Sequence, residues 1–255
     1  MNITSARRGA WAGYVDITHG DFDEIADLIL TNPDGLNIGW NITDAFVAKL
    51  DARDTEAVRR YQKALKVKMI TGKGYFFFVD KANRHRPDEY WTHELDIKAS
   101  NLCTEIMLHS SENYTFTCVL SSMNLAKYDE WKDTDAVFWA TLFLDCVAEE
   151  FIQQGRSIPG LEKAVAFTEK GRALGLGVCG WHTYLMQRGI PFESLEAQWL
   201  NSEIFMKMQQ DSKEASFSMA YELGVPEWCQ IVEGIPKRNT HLMAIAPTKS
   251  TALIM

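Results

Sequence analysis

Positions 101–105 read Asn-Leu-Cys-Thr-Glu, which sets a carboxamide, a thiol and a carboxylate at alternate residues. A carboxylate can take a proton from a hydroxyl, an amide can orient that hydroxyl, and sulfur can carry a negative charge or an unpaired electron. Side chains of an extended backbone alternate between faces, so Asn101, Cys103 and Glu105 are expected on one face at steps of about 6 to 7 Å. A second reading is a small buried thiol beside a surface strand, since free cysteine is commonly buried. Two further stretches carry reactive groups: 116–125, with Cys118 fifteen residues after Cys103, and 244–251. In the latter, the hydroxyls of Thr248, Ser250 and Thr251 gather with Lys249 at an expected helix start, a setting that suits an anion, although hydroxyl-rich caps without a ligand are common. His19 with Asp21 and Asp23 offers metal-type ligands, but capping of a helix by Asp21 explains that cluster more simply.

The elements that must position these groups are legible as alternating strand and helix signals. The pattern predicts strands at 12–17 and 36–42, a helix from Asp21, a turn at Asn32-Pro33-Asp34-Gly35, and a helix over 54–70 with Val58, Tyr61, Leu65 and Met69 on one face and Arg59, Arg60, Lys63 and Lys66 on its solvated face. The apolar run 75–79 predicts a strand buried on both faces. Further on, 116–120 reads as a strand, and Thr134 as the cap of a helix with Val137, Ala140, Leu144, Val147 and Phe151 on its apolar face. Residues 174–178 read as a buried segment. The longest helix is expected at 194–223, with Leu200, Ile204, Met208, Ala215, Met219 and Leu223 as its stripe and Gly224-Val225-Pro226 as its stop. Alternation of this kind predicts an α/β architecture, a barrel or covered sheet.

The chain has 255 residues, 46% hydrophobic and 24% charged, enough for one large domain or two intimate ones. A net charge of -8 argues against nonspecific nucleic-acid binding, while Arg7 with Arg8 and Lys237 with Arg238 leave room for a local phosphate contact. Five cysteines without CxxC spacing and without a secretory leader predict a reducing, cytoplasmic setting; no apolar run predicts a membrane span.

Taken together, Ser100-Asn-Leu-Cys-Thr-Glu-Ile106, Cys118-Val-Leu-Ser-Ser-Met-Asn-Leu125, Arg172 to Gly180 with Gly189-Ile-Pro-Phe-Glu-Ser194, and the turn Pro247 to Thr251 resemble the catalytic large subunit of ribonucleotide reductase, class I in particular. The resemblance implies a ten-stranded α/β barrel of two five-stranded halves threaded by a finger loop. It implies that Cys103 is the thiyl radical that removes the ribose 3′ hydrogen, Glu105 the base for the 3′ hydroxyl, Asn101 its hydrogen-bonding partner, and Cys118 one of two thiols that reduce the 2′ position. Ser100 and the 248–251 turn would bind substrate. Arg7 and Arg8 resemble the end of the specificity loop, which relays ATP or deoxynucleotide effectors. Cys146, Cys179 and Cys229 have no matching redox position and are expected to be ordinary buried thiols.

The resemblance further implies a ribonucleoside diphosphate substrate, no cofactor held by this chain itself, a radical from a metal-containing small subunit, and thioredoxin or glutaredoxin as external dithiol reductant. Residues 1–255 match a single incomplete barrel domain, without the family's upstream nucleotide-binding elements, its other redox cysteine, or its carboxy-terminal part. An internal piece of a split or truncated subunit is therefore expected, inactive alone and needing complementary large-subunit fragments. The alternatives are a segment of a cobalamin-dependent reductase, or a noncatalytic nucleotide-binding assembly fragment.

Overall fold

Parallel strands need crossovers, and helices between short apolar strands supply them. The computed structural model describes residues 10–230 and 234–254, whose packing falls into two units, Met1–Arg86 with Asp96–Leu108 and Pro87–Leu95 with His109–Met255. Arg7 and Arg8 lie outside the described residues.

The first unit runs β1 (Gly13–Asp16), α1 (Phe22–Thr31), β2 (Ile38–Ile42), α2 (Asp44–Asp51), α3 (Thr55–Thr71), β3 (Tyr75–Phe78) and α4 (Val79–Arg84). The strands form a parallel sheet in the order β1-β2-β3, with Tyr14 level with Gly39 and Gly39 level with Tyr75. Its core is Trp40, wholly buried against Phe22 at 4.8 Å between ring centres, with Ile17, Ala26, Ile29, Ala64 and Val67. The turn at Asn32 closes as expected through Gly35 N–H to the Asn32 carbonyl at 3.0 Å.

Several expectations are corrected here. The basic face of α3 is no bare solvated face. Arg59 holds Asp23 through two bonds of 2.8 Å, Lys63 holds Asp23 at 2.9 Å, and Arg60 donates to the carbonyls of Ile17 and His19. Those residues flank and open α1, so the cations fasten α3 to it, and the Arg59 guanidinium holds the Asp23 carboxyl well below the usual range. Asp21 sits at the α1 cap position but makes no side-chain cap bond; its N–H instead donates to His19 Nδ1 at 3.1 Å. The 75–79 strand is not buried on both faces. Phe77 is buried and Phe78 is 46% exposed, because β3 pairs only with β2 among the described residues.

The second unit comprises α5 (Asp88–Thr92), β4 (Leu120–Asn124), α6 (Tyr128–Trp131), α7 (Ala136–Gly155), α8 (Glu162–Gly171), β5 (Gly175–Cys179), α9 (Trp181–Arg188), α10 (Leu195–Leu223) and α11 (Lys249–Ala252). β4 and β5 pair in parallel, and 241–244 run along β5, with Leu176 N–H donating to the Leu242 carbonyl. That close pass explains Gly177, since a Cβ there would meet the Ala244 carbonyl oxygen at 2.1 Å. The expected strand at 116–120 is displaced: pairing starts at Leu120, and Cys118 precedes it. Asp135, without a side-chain bond, takes the cap position of α7, while Thr134 Oγ1 accepts from Ala136 N–H at 3.3 Å. The buried face of α7 is Val137, Thr141, Leu144, Asp145, Ala148 and Ile152, leaving Val147 outside. The long helix is as expected, capped by Ser194 Oγ and buried along Ile204, Met208, Ala215 and Met219, although Leu223 is exposed. Among the described residues the strands form sheets of three and two and close no barrel.

Asp145, buried on α7, accepts from Arg172 Nε at 2.8 Å, Arg172 Nη2 at 2.9 Å, Arg238 Nε at 2.9 Å and Asn239 Nδ2 at 2.9 Å. Burial raises its proton affinity, but the bonds and charges of Arg172 and Arg238 outweigh that and hold the carboxyl below its ordinary value. A carboxyl so depressed stabilises the fold above the unfolded pKa of about 4, and loses that contribution as pH falls through its lower folded value. Asp145→Ala is expected to cost about 3 kcal/mol in urea unfolding at neutral pH, because the buried Arg172 keeps only the half-buried Glu149 as counter-charge and the half-buried Arg238 loses its carboxylate partner. The loss shrinks in acid. An unchanged unfolding midpoint at pH 7 would show that the network carries no net stability.

Candidate active site

The segment 96–108 of the first unit approaches and leaves a tip. On the way in, Ile97 is buried between the exposed Asp96 and Lys98; on the way out, Ile106 and Leu108 are buried and Met107 is exposed. This period of two marks both limbs as extended. Side-chain amides hold the incoming limb where no strand pairs with it. Asn83 of α4 donates to the Ile97 carbonyl at 2.8 Å and accepts from Ile97 N–H at 2.9 Å, and Asn41 of β2 donates to the Lys98 carbonyl at 2.9 Å.

The tip is a turn, and the extended arrangement expected for 101–105 is corrected. Asn101 N–H donates to the Ile106 carbonyl at 3.0 Å and Thr104 N–H to the Asn101 carbonyl at 3.2 Å. Asn101 Oδ1 accepts from the N–H groups of both Glu105 and Ile106, each at 3.1 Å. Because both facing groups are donors, the oxygen must face them, and Nδ2 is left to donate elsewhere. Thr104 sits at φ +66°, a left-handed conformation rare for a β-branched residue, and strain of this kind persists only where surrounding bonds hold it. Cys103 is thereby exposed at the tip, which removes the buried-thiol reading. Glu105 is half-buried, and its Oε2 is buried without a hydrogen-bond partner. An acceptor left in that state can be satisfied by an incoming hydroxyl.

Tyr14 was invisible to motif reading. Its hydroxyl lies 2.8 Å from Ser100 Oγ and donates to the Asn101 carbonyl at 3.2 Å. Gly39 makes room, since a Cβ there would lie 2.3 Å from the Tyr14 ring. A glycine inside a strand is a sequence signal for such a close approach. Burial pushes the Tyr14 hydroxyl above its ordinary pKa against the Ser100 bond, with Tyr75, Cys103 and Glu105 adding to the rise.

The remaining candidates belong to the second unit. Cys118 is exposed at the amino-terminal end of the β4-β5 sheet. Thr248 stands at φ +48° before the four-residue helix α11, with Lys249, Ser250 and Thr251 exposed. Cys179 and Cys229 are buried as expected, whereas Cys146 is exposed on α7. Among the described residues no group of three or more His, Cys, Asp or Glu is placed to hold a metal ion.

The model of the ribonucleotide reductase barrel domain matches residues 45–228. A Frog virus 3 (isolate Goorha) protein, provisionally named a ribonucleoside-diphosphate reductase large subunit, is 33% identical over 274 aligned residues, covering 98% of this chain and 47% of its own length. A vitamin B12-dependent ribonucleoside-diphosphate reductase of Thermoplasma acidophilum is 30% identical across 97% of this chain and 34% of its own. Among solved structures, the class Id ribonucleotide reductase alpha subunit of Actinobacillus ureae superposes with a TM-score of 0.88 at 44% identity, over 95% of this chain and 46% of that one. The chain thus spans less than half the length of each of these relatives.

Thiol accessibility divides the cysteines. Iodoacetamide at mildly alkaline pH is expected to label Cys103, Cys118 and Cys146 well before Cys179 and Cys229, read by peptide mass spectrometry. Burial pushes the Cys229 thiol up to about 12, so almost none of it is thiolate. Labelling of Cys229 ahead of Cys103 would contradict the arrangement of the tip.

Proposed function

This chain belongs to the ribonucleotide reductase barrel-domain family, and from that premise we propose that it is the catalytic segment of a ribonucleoside-diphosphate reductase, working with complementary large-subunit sequence. The observation that carries the reading is the tip itself: an exposed thiol, an amide whose only uncommitted function is a donor, and a carboxylate oxygen buried without a partner, within five residues.

The C3′ hydrogen of a ribose is not acidic, so its removal calls for a one-electron reagent rather than a base. A radical-bearing partner takes an electron and the thiol proton from Cys103, which leaves a thiyl. Cys103 then takes the C3′ hydrogen atom as its sulfur becomes a thiol, while Glu105 accepts the proton of the 3′ hydroxyl and Asn101 Nδ2 donates to the sugar. The 2′ hydroxyl leaves as water with a thiol proton. Cys118 and a second thiol from complementary sequence provide two electrons and end as a disulfide, and Cys103 returns hydrogen to C3′, recovering its radical. Thioredoxin or glutaredoxin re-reduces the disulfide. Lys249 and the hydroxyls of Thr248, Ser250 and Thr251 offer a cation and donors for the substrate diphosphate. Five cysteines outside any disulfide accord with a reducing, cytoplasmic setting.

Greater likeness to a class I alpha subunit than to the B12-dependent relative favours a separate radical-generating small subunit over cobalamin. The cobalamin reading stands second because that relative matches nearly the whole chain.

In the reconstituted complex, Cys103→Ser is expected to abolish deoxynucleotide formation, and Glu105→Gln to lower kcat by roughly 10²–10⁴, the usual contribution of a general base. The isolated chain should show no turnover. Reduction at an unchanged rate with Cys103→Ser would refute the catalytic role and leave a nucleotide-binding assembly piece.

A further inference from the structure

We infer that Tyr14 is a positioning residue for the loop that bears Cys103, its hydroxyl and that of Ser100 forming one latch at the base of the tip. The inference deepens the reductase reading and rests on it for its kinetic consequence, though not for its structural one.

The latch is a closed set of hydrogen bonds. Ser100 Oγ donates to the Asn101 carbonyl at 2.9 Å, Tyr14 Oη reaches the same carbonyl at 3.2 Å, and the two hydroxyls are 2.8 Å apart. Each hydroxyl has one proton. Both can donate to the carbonyl, or one donates to the carbonyl and the other to its neighbouring hydroxyl. In both arrangements the two protons are spent inside the latch, and Ser100 is 5% exposed, so its hydroxyl holds the loop and does not donate to a substrate. The Asn101 carbonyl is also the acceptor for Thr104 N–H, which makes it the hub through which the latch reaches the strained residue beside Cys103.

Tyr14 is itself immobilised. Its ring lies over Gly39 and meets Phe77 edge-on at 5.7 Å, so strand β1 and the loop, 86 residues apart in sequence, share one fixed contact. Removing only the hydroxyl leaves this ring packing intact. The loop then keeps its internal bonds from Ser100 and Asn101 and its anchors to Asn83 and Asn41 but loses its tie to β1, and Cys103 samples positions away from the reacting carbon.

Tyr14→Phe in the full chain tests the latch without any assay of turnover. Amides at 104–106 are expected to exchange hydrogen roughly five- to tenfold faster, the scale of one hydrogen bond, while those of β1 to β3 keep their rates. The double variant Tyr14→Phe with Ser100→Ala should exchange less fast than the product of the two single factors, because the hydroxyls bond each other as well as the shared carbonyl. Gly39→Ala, which displaces the ring, should reproduce the loop signature. In the reconstituted enzyme Tyr14→Phe should lower kcat by the same factor with KM unchanged within about twofold, as expected for misplacement of a reacting group. Unchanged exchange at 104–106, or unchanged kcat, would overturn the inference. Failure of the reductase reading shows separately, as turnover that survives Cys103→Ser while the exchange result stands.

Discussion

Two backbone N–H groups, those of Glu105 and Ile106, have one acceptor between them, the side-chain oxygen of Asn101. This sharing decides the geometry of the tip. It closes a six-residue loop without strand pairing, and each bond is worth about 0.5–1.5 kcal/mol net. It drives Thr104 into a left-handed conformation and leaves Cys103 outward. It also fixes the chemistry of the amide, since an oxygen that accepts twice from backbone leaves only the nitrogen to meet a substrate. A glutamine at 101 would carry the same groups on a longer arm, and the turn could not close in the same register.

How much of this was legible in the sequence follows from the range of the interactions concerned. The helices 55–71 and 195–223 were readable because Asp54 and Ser194 accept from backbone N–H three residues on; the apolar stripe of the longer one reports burial directly, whereas on 55–71 Met69 is exposed and Ala57, Ala64 and Val67 face the core. The Asn-Leu-Cys-Thr-Glu run was legible as chemistry and misread as geometry. Alternating polar residues predict an extended strand only where a neighbouring strand takes the backbone bonds, and here the Asn101 side chain takes them. Tyr14, Asn41 and Asn83 gave no local signal, because each acts on a residue between 14 and 87 positions away. The sole trace was Gly39, a glycine inside a strand.

The basic residues of α3 show a related limit. Arg59, Arg60 and Lys63 fall on one helical face, which sequence periodicity assigns to solvent. Their partners Asp23, Ile17 and His19 lie on and just before α1, out of range of any window along α3. Charge at helical spacing therefore reports a polar face without saying whether water or another helix meets it. The same holds for Asp145, whose position on the apolar face of α7 looks like an interruption until Arg172 and Arg238 are seen to enclose it.

The two kinds of polar group do different physical work. Asp145, Arg172 and Arg238 are satisfied and shielded, and replacing such a set with apolar residues of equal volume often stabilises a fold, so its value lies in fixing one arrangement of the chain at 238–239, which leads into the segment along β5. Cys103, the Nδ2 of Asn101 and Glu105 Oε2 are the reverse, groups left exposed or unpaired at a cost in stability. A fold tolerates that cost when the surrounding bonds over-determine the site, and the amides of Asn41, Asn83 and Asn101 with the Tyr14 and Ser100 hydroxyls provide that surplus. The radical chemistry proposed for Cys103 would make the demand sharper than acid–base chemistry does, because a thiyl sulfur that misses its carbon by an ångström meets some other hydrogen, and rigidity at the tip would then protect the protein as well as the rate.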